Sequence, residues 1–523
     1  MSTIIKKIKL INFKRFRNYI IEPNDRINIL VGDNETGKSS VLEAIDLVAC
    51  GNVRRVEAIG LDRLINVNAV KEFLDENIRT FDNLPKLQIE LYLELAQPDP
   101  FMNGKNNTDK EKRDGIRLVC APNPDYRTEI SEAISEHPDY FPYDYYSVRF
   151  STFADEGYTA YKKKLRSAMI DSSHMNSEYA TNDFVRRMYM QYTEDNKKER
   201  ASHKSAYRLL RDQFCSNSLS VLNSRVPADK NYAFGLKSGS SMNLESDLMI
   251  YEDKVGIDSK GTGRQVFVKT DFALERSGDN VDVILIEEPE NHLSPVNLRK
   301  LVQRVAATQN GQLFITTHNS LISTRLELQN IQIMHANGEG NPISLKNLQN
   351  ETAKYFMKTP PASIVEYALA NRILLVEGPS EYMLLERFYQ TITEHTPEDE
   401  NVHIIDVRGL SFLRYLEIAK LTESKVAVIT DNDKDYQKHC VDKYVNYAED
   451  ANIQVFYDND NDKYTFEVVL YGQNKALCDS ICGTNAQNFM LNNKTEAAYM
   501  LLSQKQPIVV PDYIKRAIEW IRK

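Results

Sequence analysis

Three stretches of this chain set chemically capable side chains at spacings that packing alone does not require. The first is Gly32-Asp33-Asn34-Glu35-Thr36-Gly37-Lys38-Ser39. It fits G-x-x-x-x-G-K-[ST], directly after the apolar run Ile27–Val31 and directly before a stretch with helical apolar spacing. Gly32 and Gly37 let backbone N–H groups wrap phosphates at a helix N-terminus, with Asn34 and Ser40 in the same candidate set. Lys38 would neutralise the β and γ oxygens of ATP, and the Ser39 hydroxyl would reach Mg²⁺. The second stretch is Val283–Leu293 (VILIEEPENHL), an apolar strand delivering Glu287 and Glu288 at its C-terminal edge. There Glu287 would hold Mg²⁺ directly or through water, and Glu288 would polarise the water attacking the γ-phosphate. Downstream, Leu313–His318 (LFITTH) sets His318 at the end of another strand, where it can sense that phosphate.

The third stretch is a pair of acidic motifs. Ile373–Glu381 (ILLVEGPSE) ends an apolar strand in Glu377 and starts a helix with Glu381; Val426–Asp433 (VAVITDND) ends another strand in Asp431 and Asp433. Carboxylates from two strand edges of one sheet converge on hard divalent metals such as Mg²⁺ or Mn²⁺. A pair of such metals can activate a water and stabilise the leaving oxygen of a phosphodiester. Asp435 and the run Asp458, Asp460, Asp462 read instead as solvated turn residues.

Positioning these groups takes two α/β layers. Residues 4–16, 19–22 and 27–31 read as strands and a helix begins near Lys38, while Leu87–Leu95 alternates as a half-buried strand of an antiparallel sheet. Residues 103–114 read as a surface loop. Residues 159–214 read as helical and carry 12 Lys/Arg against 7 Asp/Glu. Within them Lys162, Lys163, Lys164, Arg166, Arg186 and Arg187 form a candidate DNA path. Strands return at 281–286 and 313–316 with a helix-length stretch between them, a β-α-β unit. From residue 371 a fresh alternation begins: strands at 373–376, 402–407 and 426–430, with helices from Ser380 and Ser411. It follows a plausible linker at Thr359-Pro360-Pro361. The division this suggests is 1–158, a helical insertion at 159–250 for dimerisation or DNA contact, 251–360, and 368–523.

With 42 % hydrophobic and 27 % charged residues the composition is that of a globular protein, and a net charge of −9 leaves nucleic-acid binding to local basic patches. Six scattered cysteines read as free thiols. No run approaches ~18 apolar residues, so no membrane partner and a cytoplasmic location are expected.

The P-loop, the Glu287-Glu288 strand and His318 together resemble the ATPase head of the ABC superfamily found in recombination, repair and chromosome-maintenance proteins. In that family a signature loop from a second head completes the nucleotide site. Lys260–Gln265 (KGTGRQ) looks like a relaxed form of that loop, which assigns nucleotide contact to Gly261 and Gly263 and implies a homodimer or higher homo-oligomer through the heads. Glu287 stands where many ABC proteins have Asp. The two acidic motifs look like a Toprim domain, and an ABC head followed by Toprim resembles the OLD family of ATP-dependent endonucleases. The resemblance implies an α/β fold: an ABC-type head with an inserted helical segment, then a Rossmann-like Toprim nuclease domain. It further implies an ATP-regulated, metal-dependent endonuclease acting on DNA. Glu377, Glu381, Asp431, Asp433 and the Glu467 of Thr465-Phe-Glu467 would be metal ligands, and Lys494 the basic residue. Relatives in the Gabija and retron systems imply antiphage defence with an operon-encoded partner, a helicase or a reverse transcriptase. A competing reading is a non-cleaving ATPase clamp with a binding-only Toprim fold. A topoisomerase or primase would need a nucleophilic-Tyr domain or a zinc module, and neither pattern is visible.

Overall fold

Alternating Ile and Lys from Ile4 make a strand that can bury one face. In the computed structural model, β1 (Ile4–Phe13) reverses at Lys14, whose φ is 49°, into β2 (Phe16–Ile21). The sequence reading carried the first strand to Phe16. The turn comes earlier because Phe16 pairs with Phe13 and both rings enter one core. The structure describes residues 3–523 except 138, 160–163, 172–177, 194–195, 227–232, 237–243, 276–280, 308–310, 336–338, 359–363 and 410–411. The expected linker at 359–361 lies outside the described residues. Two compact units emerge, Met1–Ile322 with Met334–Pro342, and Ser323–Ile333 with Ile343–Lys523.

The first unit layers two sheets. With β3 (Ile27–Val31), β4 (Leu87–Glu94), β5 (Arg113–Pro122), β6 (Tyr146–Thr152), β7 (Ser167–Asp171), β8 (Val283–Glu287) and β9 (Gln312–Thr316), one sheet is antiparallel in the order β2-β1-β4-β5-β6. In the other, β3, β9, β8 and β7 are adjacent in that order and parallel. Helix α1 (Lys38–Cys50) packs against strands of both and puts Leu42, Ile45 and Val48 into a shared core. Four longer helices of this unit are α2 (Glu178–Tyr192), α3 (Lys197–Asn217), α4 (Thr262–Glu275) and α5 (Pro295–Ala307).

Two expectations are corrected here. Residues 167–171 are a strand rather than part of a helical stretch, because the short run Ala168-Met169-Ile170 extends the parallel sheet beside β8. Residues 103–114 are not simply a surface loop. Asn107 is buried, Thr108 donates to Glu90 through both its N–H (2.9 Å) and its hydroxyl (2.7 Å), and Asp109 pairs with Lys7 and Lys9 at 2.6 and 2.8 Å. The segment therefore covers the face of β4 that alternation would leave to solvent, and Glu90 is fully buried. In the basic stretch, Lys164 pairs with Asp99 (2.9 Å), Arg166 with Asp282 (3.0 Å) and Arg186 with Glu245 (2.8 Å), so these three cations face carboxylates of their own chain. Lys162, Lys163 and the Arg187 side chain lie outside the described residues.

One side chain stitches the two sheets. Gln312 on β9 is fully buried; its Oε1 accepts the Ile5 N–H at 2.9 Å, and its Nε2 donates to the carbonyls of Ile5 (2.9 Å) and Asn24 (2.8 Å).

In the second unit, β10 (Arg372–Val376), β11 (Val402–Asp406), β12 (Lys425–Ile429) and β13 (Ile453–Phe456) form a wholly parallel sheet in the order β11-β10-β12-β13. Apolar runs such as Ile373–Val376 and Val426–Ile429 are buried on both faces, as parallel sheets require. Packed with it are α6 (Pro379–Thr393), α7 (Phe412–Thr422), α8 (Phe466–Gln473), α9 (Lys494–Leu502) and α10 (Asp512–Arg522). Because β11 and β12 lie on opposite sides of β10, the strand order reverses there, and the crevice at the C-terminal ends of β10 and β12 is where such sheets bind ligands.

Gln312→Leu keeps the bulk but leaves buried backbone groups of Ile5 and Asn24 unpaired. It should destabilise the first unit by about 1–3 kcal/mol, read as a lower urea midpoint with no loss of stability in a control substitution of exposed Gln506.

Candidate functional site

The Gly32–Ser39 loop closes tightly enough that its glycines leave no room for a side chain. Gly37 has φ 94°, and a Cβ there would stand 2.5 Å from the Phe16 ring; a Cβ on Gly32 would stand 2.6 Å from Thr36 Oγ1 and 2.8 Å from the Met334 carbonyl. Lys38 is buried and donates to the carbonyls of Gly32 (2.8 Å) and Asp33 (2.9 Å). Burial pushes its ammonium below the usual lysine range, and the charges of Glu288, Asp33, Glu290 and Glu287 oppose that shift. A cleft of about 520 Å³ opens over the loop, lined by Asn34, Gly37, Lys38, Ser39, Ser40 and Glu288 together with Lys14 and Arg15 of the first hairpin.

Glu287 ends β8 and Glu288 follows it with a left-handed backbone (φ 38°), fixed by its N–H donating to the Thr316 carbonyl (3.0 Å) and hydroxyl (3.1 Å). That turn carries the Glu288 side chain into the cleft. His318 Nε2 stands 3.5 Å from Glu288 Oε1, so the histidine and the acid named from sequence meet. Gly261 and Gly263 lie at the start of α4 and do not line this cleft. There Glu252 pairs with both Lys260 and Arg264, whose hydrogen bonds draw its carboxyl down to about 2.

In the second unit, Glu377 follows β10 and Asp431 lies just beyond β12, adjacent strands in register at Val376 and Ile429. Glu381 sits in the first turn of α6, buried. Asp431 Oδ1 accepts the Phe466 N–H at 2.8 Å, which ties the second motif to the start of α8 and brings in buried Glu467. Lys494 opens α9 with its ammonium 3.0 Å from Glu467 Oε2. Desolvation, then mutual repulsion, raises these acids: Glu381 to about 8, Asp431 well above the usual range, Glu377 upward. Burial alone would lower Lys494, but Glu467, Asp431 and Glu381 outweigh it and hold the lysine above its ordinary value. Asp433 is exposed with φ 48°, close enough for its charge to act on Glu377.

Residues 369–433 match the family model described as "Overcoming lysogenization defect protein-like, TOPRIM domain", a stretch that includes Glu377, Glu381, Asp431 and Asp433. Residues 4–211 match the AAA ATPase domain model, and residues 195–324 match a second AAA domain model. These matches support an OLD-family ATPase–Toprim protein. Its architecture is α/β, an ATPase domain followed by a Toprim domain.

The chain is also similar to curated relatives over short stretches. It is 25 % identical over 88 residues to DNA replication and repair protein RecF of Alkaliphilus oremlandii (strain OhILAs), 17 % of this chain and 24 % of that protein. It is 36 % identical over 81 residues to RecF of Clostridium kluyveri, 14 % of this chain and 22 % of that protein. The match therefore spans under a quarter of each relative. Among solved structures it is similar to the Smc head domain with an extended coiled coil, bound to the C-terminal domain of ScpA, from Pyrococcus furiosus. That match has 13 % identity and a TM-score of 0.35 over 66 % of this chain and 97 % of that one. It is also similar to the recombination mediator RecF-ATP, with 11 % identity and a TM-score of 0.32 over 60 % and 93 %. No described helix is long and apolar enough to cross a membrane.

Sequence reasoning passed over Glu290. The one-turn helix Pro289–His292 swings it back so that Oε1 accepts the Thr317 hydroxyl (2.6 Å) and the His318 N–H (2.8 Å). The third acid of Glu-Glu-Pro-Glu was visible, but its partner 28 residues away was not. Asn432 was also missed: it is buried, donates to the carbonyls of Asp458, Asp460 and Lys463, and accepts the Lys434 N–H. Asp458, Asp460 and Asp462 themselves form the expected turns, with Asp458 and Asp460 accepting the N–H groups two residues on.

Lys38→Ala should abolish ATP binding, whereas Glu288→Gln should bind ATP and lose turnover by about 10²–10⁴-fold. Fluorescent-nucleotide titration alongside phosphate release separates the two, and normal turnover by Glu288→Gln would move the base elsewhere.

Proposed function

We propose that this protein is an ATP-regulated, divalent-metal-dependent DNA endonuclease. The observation that carries the reading is the crowding of Glu377, Glu381, Asp431 and Glu467 at one partly dehydrated sheet edge, where burial and repulsion hold three of them above the ordinary carboxylate range. Proteins do not gather uncompensated acids without a cation or a proton to share. The donor set suits a metal: all ligands are hard oxygens, and the buried Glu467 Oε1 has no hydrogen-bond partner.

Glu377, Glu381, Asp431, Asp433 and Glu467 would hold Mg²⁺ or Mn²⁺. Such ions, when bound, supply an activated water and charge stabilisation at the leaving oxygen. Asp431 holds the start of α8 and so keeps Glu467 at the edge, while Lys494 is poised to neutralise charge developing on the scissile phosphate. In the ATPase unit, Ser39 and Glu287 would take Mg²⁺, Lys38 the β and γ oxygens, Glu288 the proton of the attacking water, and His318 the γ-phosphate. The Gly261–Gly263 loop, which lies off the cleft, would complete the site of a second head in a homodimer or higher oligomer. The family supports a place in antiphage defence beside an operon-encoded partner.

A second reading, a non-cleaving ATPase clamp, is favoured by one observation: among the described residues no three Asp, Glu, His or Cys side chains form a ready-made metal-binding group. Incubating supercoiled plasmid with the protein in Mg²⁺ or Mn²⁺, with and without ATP and with excess EDTA, separates the two readings. Metal-dependent nicking is expected, and none under any condition would leave the clamp. Asp431→Ala and Glu377→Ala should abolish nicking with ATP turnover nearly intact. Lys494→Ala should slow nicking by about 10²–10³-fold, the cost of losing one transition-state cation, with DNA binding retained.

A further inference from the structure

A sheet edge crowded with carboxylates repels a phosphodiester as strongly as the acids repel one another, so a DNA backbone can approach only where cations offset them. Lys494 is already engaged with Glu467. Two other cations, which belong to no recognised motif, come from segments fastened to this edge.

Arg408 follows β11. Its neighbours donate to the end of β10, the Val407 N–H to the Val376 carbonyl and the Gly409 N–H to the Glu377 carbonyl, both at 3.0 Å. The Arg408 backbone is thereby pinned next to that of the acid. Its backbone is left-handed (φ 50°), a conformation that costs free energy for a side chain of this size. The Arg408 N–H donating to Asp406 Oδ1 at 2.7 Å holds that turn. The guanidinium itself is 70 % exposed, with Nε 3.8 Å from Asp406 Oδ2.

Lys443 comes from the opposite direction in sequence. Just after the Asp431-Asn432-Asp433 turn the chain forms a π-turn, Gln437–Val441, and then a 3₁₀ turn, Asp442–Tyr447. Such wide turns inside helices recur at functional sites because they re-aim side chains. The Cys440 thiol donates to the Asp431 carbonyl at 3.4 Å and fastens this segment to the acidic edge. Lys443 Nζ rests 5.3 and 5.8 Å from the ring centres of Tyr444 and Phe412 and makes no ion pair among the described residues. Its charge acts on Glu377. An ammonium laid over aromatic rings keeps its charge available, because the rings orient it without neutralising it.

We propose that Arg408 and Lys443 form a phosphate-binding pair that lays a DNA backbone across the carboxylate edge of the Toprim sheet. Their role is positioning, separate from the bond-breaking groups. The purpose of the pair rests on the nuclease reading; its binding readout does not.

Full-length wild-type protein, Arg408→Gln, Lys443→Gln and the double variant would be titrated with a fluorescently labelled DNA duplex in EDTA across a range of NaCl concentrations. Each substitution should weaken binding and make the log–log salt slope shallower by about 0.9, and the pair by about 1.8. Arg408→Lys and Lys443→Arg should restore the slope. In metal-dependent plasmid nicking, the DNA concentration giving half-maximal rate should rise while the limiting rate is retained. An unchanged slope in the double variant overturns the proposal. A reduced limiting rate with an unchanged slope also overturns it, since that would place these residues in the chemistry. Wild type that binds duplex without cutting sinks the nuclease reading while the slopes still judge the pair, and wild type that fails to bind duplex sinks the pair.

Discussion

Repulsion between carboxylates that share a dehydrated edge is the constraint on which the second unit depends. Strands β10 and β12 lie side by side because their apolar residues bury both faces of the sheet, and this packing forces Glu377 and Asp431 to emerge as neighbours. The hydrogen bond from Phe466 N–H to Asp431 then commits one acid to holding the helix that carries another. Burial of Leu374, Val376, Ala427 and Ile429 in the core offsets the cost of that gathering. Packing that stabilises the sheet and repulsion among its acids thus oppose each other at this edge.

The ATPase unit solves a related problem by different means. Its acids also stand at the C-terminal end of a parallel strand, but the backbone does the aiming: Glu288 adopts φ 38° and is locked by two bonds to Thr316 on the adjacent strand. Glu290 meanwhile grips the turn that presents His318. Both sheets are referred to the P-loop through α1, which packs on strands of each, and they are tied to each other by Gln312. A nucleotide bound at the loop would therefore press on an assembly whose parts are already cross-braced.

Most of this was legible in the sequence wherever a contact is local. The P-loop declared itself because strand, glycines, Lys38 and helix are contiguous, and strand ends at Glu287, Glu377 and Asp431 followed from short apolar runs that stop at an acid. Legibility failed where the partner is remote. Ser167–Asp171 falls within the helical pattern that dominates 159–214, and only the edge of β8 makes it a strand. The segment 103–114 looked solvated because its polar groups face an equally polar strand, and mutual satisfaction of Glu90, Thr108 and Asp109 cannot be inferred from composition. Arg408 and Lys443 carry no motif; their place is set by two backbone bonds and a π-turn.

Asn432 sits between two of the acids with its amide facing three carbonyl oxygens. Chemical ageing of proteins often converts asparagine to aspartate, through attack of the following amide nitrogen on the side chain. Here that conversion would replace the donor with a carboxylate oxygen facing three carbonyl acceptors and release the 458–463 loop. The following N–H, that of Asp433, is held by the Tyr464 carbonyl at 3.2 Å, and the asparagine itself is buried. The same packing that makes Asn432 indispensable withholds the nucleophile that would damage it, so the folded chain shields its acidic edge from one of the commonest forms of molecular wear.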